Sequence, residues 1–325
     1  MNVTVLVVAY HGDKWLPACL ESLAEASVQR MHLLLVDNSG NSIIDGLNLS
    51  SFDVEVIRTP YPMGFAEANN YALIYASHLE ESVLFLNQDT ISTSGWVDAC
   101  LRCFDEEKHL GAVSPLIRTY DGSGWDPSFL SCISDPIVLE DSSISPGEGI
   151  WFPTVNAPAP ALILRTSVLR EVGPFDPVFG SYYEDYDLCR RIREAGYVIG
   201  FCRSARIHHF SGSSTDSRER ELKRMRQIIR NRLLYRLREH GGARWPLLLR
   251  HLLVDLPRNL GRGLLRTPSS QPLSVTFQAH LDLLQIAGRL VSRQTDEQAW
   301  QAYLAETGWP GQMSAVTAPP ISSED

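Results

Sequence analysis

The chain has 325 residues, 44% apolar and 21% charged, a balance that suits a soluble globular protein with a sizeable core. A formal net charge of -9 argues against a protein built to grip nucleic acid. The charge is uneven: residues 203–266 hold sixteen Lys/Arg against five Asp/Glu, so an acidic body carries a basic C-terminal segment suited to a partner of its own, such as an anionic membrane surface.

The opening MNVTVLVVAYHG has no basic leader and no small-residue cleavage site, so it reads as a strand rather than a signal peptide. Residues 3–9 are a continuous β-branched and apolar run, the pattern of a strand buried on both faces. Asp13 is placed to cap a following helix in which Trp15, Leu16, Cys19, Leu20 and Leu23 keep helical spacing. Further apolar runs at 31–36, 54–57 and 83–86 read as strands, with an Ala-rich helix at 65–76, a helix at 95–104 and a strand at 111–117. Residues 118–153, rich in Gly, Ser, Pro and Asp, read as a long loop with short strands facing an acceptor. A strand at 158–165, a helix at 184–195 stopped by Gly196, and short strands at 197–202 and 206–208 follow.

Strand–helix alternation over the first hundred-odd residues predicts an α/β fold with a mostly parallel sheet covered by helices on both faces. Ligands of such sheets bind outside the carboxyl ends of the strands. The polar clusters fall there: Tyr10-His11, Asp37-Asn38-Ser39 and Asn87-Gln88-Asp89 each follow an apolar strand.

After residue 215 the character changes. Residues 216–239 form a charged helix with an apolar stripe of Leu222, Met225, Ile229, Leu233 and Leu237, suited to packing or a homodimer. Residues 244–266 mix Trp245 and several leucines with five arginines, a composition for two short amphipathic pieces and peripheral membrane contact. A helical stretch at 273–304 and a Pro/Ser-rich, disordered tail at 311–325 complete the chain. No stretch reaches about 18 uncharged apolar residues, so no transmembrane helix is predicted. Six scattered cysteines, with Cys100 and Cys103 as a lone C-x-x-C on a helix, read as buried thiols of a reducing cytoplasm.

Six motifs in order carry a family resemblance: Ala9-Tyr10, Val36-Asp37-Asn38-Ser39, Gly64-Phe65-Ala66-x-Ala68-Asn69-Asn70, Leu86-Asn87-Gln88-Asp89, Tyr183-Glu184-Asp185-x-Asp187-Leu188-Cys189-x-Arg191 and His209-x-x-Gly212-x-Ser214. Over residues 1–215 the chain resembles the family 2 glycosyltransferases, most closely the bacterial rhamnosyltransferase-like branch that builds surface polysaccharides. The resemblance implies a GT-A, Rossmann-like catalytic domain at 1–215. Its nucleotide-sugar part would be about 1–117 and its acceptor part about 118–215, with a helical extension at 216–310.

It also implies roles. Ala9, Tyr10, Asp37, Gly64, Asn69, Asn87, Gln88 and Asp89 would line the donor site, with Asp37 on the nucleoside. Asp89 and His209 would hold Mn2+ or Mg2+, with His208 open as the alternative imidazole. Asp185 would be the base of an inverting transfer, with Glu184 orienting it or binding acceptor. The donor would be dTDP-rhamnose or a UDP-sugar, the acceptor a saccharide or lipid-linked saccharide, and the location the cytoplasm, at the inner face of the membrane.

Each residue also has a plainer reading. Asp37 suits an Asx-turn, Gly64 an ordinary turn, Asn87-Gln88-Asp89 a strand-end turn, and Glu184-Asp185 a helix-dipole complement. Asp187 lies on another face of its helix and suits a separate job. Asn87 stands where the stricter motif has a carboxylate, which costs one charge and predicts weak metal binding without donor. Trp96 and the segment Asn156-Ala157-Pro158-Ala159-Pro160-Ala161 fall where the family places sugar and acceptor contacts. A dinucleotide oxidoreductase would need G-x-G-x-x-G after the first strand, where Ala9-Tyr10-His11-Gly12-Asp13-Lys14 stands instead. An inactive scaffold of a polysaccharide assembly complex is the non-enzymatic alternative.

Overall fold

The computed structural model describes residues 2–39, 44–133, 149–210, 218–239, 244–258, 261 and 273–285. In chain order the elements are β1 (Val3–Ala9), α1 (Leu16–Leu23), β2 (His32–Asp37), β3 (Asp53–Arg58), α2 (Phe65–Tyr75), β4 (Ser82–Asn87), β5 (Thr90–Ser92), α3 (Trp96–Glu106), β6 (Leu110–Thr119), α4 (Pro127–Leu130), β7 (Trp151–Thr154), β8 (Ala161–Arg165), α5 (Thr166–Val172), α6 (Glu184–Glu194), β9 (Val198–His209), α7 (Arg218–Glu239), α8 (Arg244–Arg250), a π-helical turn His251–Asp255, and α9 (Leu273–Gln285).

Nine strands form one sheet in the order β3-β2-β1-β4-β8-β6-β9-β5, with β7 on β9. The first four are parallel, as their apolar runs predict: β2 is buried along its whole length and β1 nearly so. From β8 onward the pairing is mixed, because β8 runs antiparallel to both β4 and β6 while β6 and β9 are parallel. The two short strands predicted at 197–208 are one strand, β9, whose pairing with β6 jumps from Cys202 to Arg206 across a bulge.

Register sets where chemistry can occur. Ala9 pairs with Asp37 and Val8 with Asn87, so β1, β2 and β4 end side by side. β5 is hydrogen-bonded to the end of β9, with Thr90 opposite His209, which draws residue 209 to the same edge.

Three local expectations are corrected. Asp13 does not cap α1; Gly12 accepts the N–H groups of Trp15 and Leu16 at 2.8 Å, a turn that replaces the side-chain cap. Trp96 is 1% exposed in the core, where an apolar ring at the start of α3 is driven by burial and cannot meet a ligand. In the stretch 118–153, expected as a long loop with short strands, β6 runs to Thr119, a helix, α4, stands at Pro127–Leu130, and the short strand β7 follows; residues 134–148 lie outside the described ones.

All six cysteines are free and buried, as predicted. The expected tail at 311–325, the helix beyond 285 and much of 259–272 lie outside the described residues, as do Gly212 and Ser214. Among the described residues no helix is long and apolar enough to cross a membrane.

Candidate active site

His209 sits between two carboxylates. Its Nδ1 lies 3.0 Å from Asp126 Oδ2 and its Nε2 lies 3.5 Å from Asp89 Oδ1, with Asn87 Nδ2 at 3.4 Å from the same Nε2. All three of Asp89, Asp126 and His209 are buried. Burial disfavours a charged imidazole, but hydrogen bonds and charge from Asp126 and Asp89 outweigh it and push His209 up to about 9. Asp126 also caps α4, accepting Ser128 N–H at 2.7 Å, so the short helix fixes the carboxylate that fixes the ring.

His208, one residue earlier on β9, points the other way and its Nδ1 meets Thr119 O at 3.2 Å. The alternation of a strand thus selects His209 over His208 as the partner of Asp89. The backbone adds a tie: Phe210 N–H donates to Asp89 O at 3.0 Å. Phe210 stacks on Trp15 at 4.0 Å, and Lys14 lies over Trp15 at 4.4 Å.

The set fits a divalent cation. A carboxylate and an imidazole face each other at Asp89 and His209, and the imidazole gives its other nitrogen to a carboxylate, as metal-bound histidines do. Another group, His32, Asp53 and His78, has ligand atoms within 4.8 Å of one another. It lies where β2 and β3 begin, at the opposite edge of the sheet. The rings of His32 and His78 stack at 4.0 Å and 11°, so their in-plane lone pairs run parallel rather than converge.

Glu184 and Asp185 open α6. Asp185 Oδ2 accepts the N–H of Ala159 at 3.0 Å and its Oδ1 the N–H of Tyr186 at 2.9 Å. The next carbonyl, Pro160 O, accepts Asn87 N–H at 3.0 Å. The segment 159–160 therefore links Asp185 to the end of β4.

Burial pushes Asp185 up to about 6, against the pull of its backbone N–H partners. Glu184, 6% exposed with Oε2 lacking a hydrogen-bond partner among the described residues, is raised well above the usual range by burial and then by the charge of Asp185. Burial thus holds both neighbouring carboxyls toward their protonated forms, and the charge of Asp185 acts further on Glu184. Asp187 does have a separate job. Burial opposes its charge, but Arg191, Arg190 and Arg238 hold it well below the usual range, at 2.9, 2.9 and 3.4 Å.

The expected donor residues divide. Asp37 is buried at the end of β2, accepts from Ser39 Oγ at 3.1 Å and has Arg58 Nε at 3.7 Å. Tyr10 is 41% exposed beside it, while Ala9 is fully buried and reaches the site only through its backbone, accepting Asn38 N–H at 2.9 Å. Gln88 is a tether: its Oε1 accepts Tyr10 N–H at 2.9 Å and its Nε2 donates to Tyr10 O at 2.7 Å.

Gly64 starts α2, but the N–H groups behind it are taken, Ala66 by Gly180 O at 2.8 Å and Phe65 by Ser181 Oγ at 3.2 Å. A Cβ at Gly64 would stand 3.3 Å from Gly180, so its role is close packing of that turn. Asn69 is buried, bonded to Phe65 O at 2.8 Å. The structure thus brings together Asp37, Tyr10, Asn87, Asp89, His209 and Asp185, and places Gln88, Gly64 and Asn69 as framework behind them. Asp126, Arg58 and Lys14 are additions that no sequence motif marked.

The glycosyl transferase family 2 profile matches residues 4–137, and the glycosyl transferase family group 2 profile matches residues 156–283. The chain belongs to the family 2 glycosyltransferases. Within them it falls in the rhamnosyltransferase-like branch. It is 25% identical over 267 residues to the pre-mycofactocin glycosyltransferase of Mycobacterium tuberculosis, covering 81% of this chain and 51% of that protein, so it spans about half of that relative's length. It is 25% identical over 238 residues to the N-acetylglucosaminyl-diphospho-decaprenol L-rhamnosyltransferase of the same organism, covering 65% and 76%. A mannosyltransferase from Pyrobaculum calidifontis, in complex with GDP-Man and Mn2+, superposes with a TM-score of 0.54 at 16% identity over 94% of this chain and 80% of that one. At that identity the match shows a shared glycosyltransferase fold.

Proposed function

We propose that this chain is an inverting glycosyltransferase that moves a sugar from a nucleotide-diphosphate donor to the hydroxyl of a saccharide or lipid-linked saccharide. The observation that carries this reading is the placing of two chemistries at one edge of the sheet: the Asp126–His209–Asp89 relay, and Asp185 tied through residues 159–160 to the end of β4.

Asp37, with Arg58 nearby, receives the nucleoside, and Tyr10 lies exposed beside it. Asp89 and His209 would hold Mn2+ or Mg2+, which when bound neutralises charge on a diphosphate leaving group. Two protein ligands leave most of the coordination sphere to the donor, in keeping with the single carboxylate of Asn87-Gln88-Asp89. Asp185 takes the proton of the attacking hydroxyl, and burial, by holding Glu184 toward its neutral form, opposes a second negative charge beside it. The likeness to a decaprenol-linked L-rhamnosyltransferase supports a rhamnosyl donor and a lipid-linked acceptor; dTDP-rhamnose is the donor proposed, with UDP-sugars next. The exposed Leu252, Leu253 and Val254, beside Arg250 and Arg258, support peripheral contact of 244–266 with the inner face of the cytoplasmic membrane.

A thermal-shift panel of dTDP-rhamnose, UDP-sugars and GDP-mannose, with and without Mn2+, tests this directly, since a ligand of the native state raises its apparent stability. A shift that needs both nucleotide and cation, with release of the nucleotide when an acceptor is added, is expected. A folded protein that answers to no donor, and turns none over, would be an inactive scaffold instead.

A further inference from the structure

Helix α7 is where the sequence predicts a packing or dimer helix, and one residue in it does something packing does not require. Asn231 is fully buried, and the two hydrogens of its Nδ2 are shared among three carbonyls of one turn: Phe179 O at 2.8 Å, Ser181 O at 2.9 Å and Tyr182 O at 2.6 Å. The orientation of the amide is fixed, because its Oδ1 accepts Arg230 Nε at 2.8 Å. Arg230 extends the grip, donating to Val178 O at 2.6 Å and Phe179 O at 3.0 Å.

The turn so held is strained. Gly180, Tyr182 and Tyr183 have φ of 68°, 71° and 71°, and the last two are bulky residues in the left-handed region. Such conformations persist only where surrounding contacts over-determine them. The turn is pinned on its other side by the donor half of the fold, through Ala66 N–H on Gly180 O and Phe65 N–H on Ser181 Oγ. The next two residues are Glu184 and Asp185.

Stability alone does not call for an amide here. Asn231 lies beside a small apolar core of Phe179, Leu233, Leu234, Tyr235, Leu237 and Leu283. A buried amide spends much of its hydrogen bonding on offsetting its own desolvation, and what remains is directional constraint. We infer that Asn231 is a positioning residue for the transfer reaction: from α7 it holds the strained 179–183 turn so that Asp185 stands in place. This rests on the reading of Asp185 as the base, and it makes α7 part of the catalytic apparatus rather than an appendage.

The test compares the full chain with Asn231→Leu, which keeps the volume and loses the donors, and Asn231→Asp, which sets an oxygen against the three carbonyls. Arg226→Ala is the control, since it breaks the α7–α9 pair with Asp282 without touching the turn. Turnover of dTDP-rhamnose and UDP-N-acetylglucosamine is measured with Mn2+, together with hydrogen exchange of the peptide 178–187.

In Asn231→Leu, kcat is expected to fall by about 100-fold, the scale of a 1 Å misplacement. The donor KM should stay within about threefold, since an interaction outside donor binding is lost. Exchange should speed up in 178–187 and not in the strands. Asn231→Asp should do the same or worse, and Arg226→Ala should keep its kcat. A kcat within about threefold of wild type in both Asn231 variants, or an equal loss in Arg226→Ala, overturns the inference. Unchanged exchange in 178–187 overturns it as well. If the wild-type chain turns over neither donor, the failure belongs to the proposed function, and exchange alone then decides whether Asn231 holds the turn.

Discussion

The N–H of Ala159 lies 3.0 Å from Asp185 Oδ2, on the residue before the proline whose carbonyl accepts Asn87 N–H. One backbone step therefore joins the carboxylate at the start of α6 to the end of β4, where the sheet presents Asp89 and His209. On the proposed function, this short turn at the entry to β8 sets the distance between base and leaving-group site, which is the precision that transfer between two bound substrates needs.

The first prediction concerns pH. Burial holds Asp185 up at about 6, so its basic form is lost below that value, and kcat/KM should rise with pH through an apparent limb near 6. A pH–rate profile checks this. The same shift has a stability cost: a carboxyl raised from 3.8 in the unfolded chain stabilises the fold fully below about 3.8, and loses that contribution as pH rises through 6. Asp185→Asn should therefore raise Tm at pH 8, by differential scanning calorimetry, while removing activity.

Glu184 should respond differently from its neighbour. Burial and then the charge of Asp185 hold its carboxyl well above the usual range, toward the protonated form that glutamine imitates. Glu184→Gln should keep kcat within about tenfold of wild type, against a loss of about 100-fold or more for Asp185→Asn. Steady-state kinetics of the pair measure the difference, and equal losses would reject the division of roles.

Asp126 should matter without touching substrate. It holds His209 through Nδ1, so Asp126→Asn leaves the ring free to turn and lowers its basicity. Mn2+ affinity in the presence of nucleotide should fall by about 10- to 100-fold, read by calorimetric titration. Asp37 and the nucleoside side should be unaffected, so nucleotide binding should persist at saturating Mn2+.

Asp187 should be a stability residue. Its buried charge answers three arginines, and Asp187→Asn removes the carboxylate that all three share, at a cost of about 3–5 kcal/mol in denaturant unfolding. Since its folded value is depressed, the stabilisation is present above about 3.8 and is lost as pH falls below that value. Acid unfolding of wild type should show that loss, and Asp187→Asn should not.

The parallel half of the fold was legible because fully buried strands leave unbroken apolar runs, as in residues 3–9 and 31–36. The strand-end carboxylates were legible for the same reason: a polar cluster after such a run has one place to be. Asp126 was not, since it stands in a Gly/Ser/Asp-rich stretch with no period, and only folding brings it against His209, 83 residues on. The hydrogen bonds of Gln88 to Tyr10 were not legible, because a motif records that a residue belongs near a site, not which neighbours it binds. Asn231 was hidden by its helix: a polar residue on a charged amphipathic pattern looks solvated until the turn it grips is in view.

The central claim is that Asp185 is the base of a nucleotide-sugar-dependent transfer at this sheet edge. The most direct measurement is turnover of the best-binding nucleotide sugar by wild type and by Asp185→Asn at pH 8 with Mn2+, alongside donor affinity by calorimetry. Turnover by wild type, a loss of about 100-fold or more in the variant, and donor affinity within about threefold are the predicted result. Near-normal turnover in Asp185→Asn would contradict it.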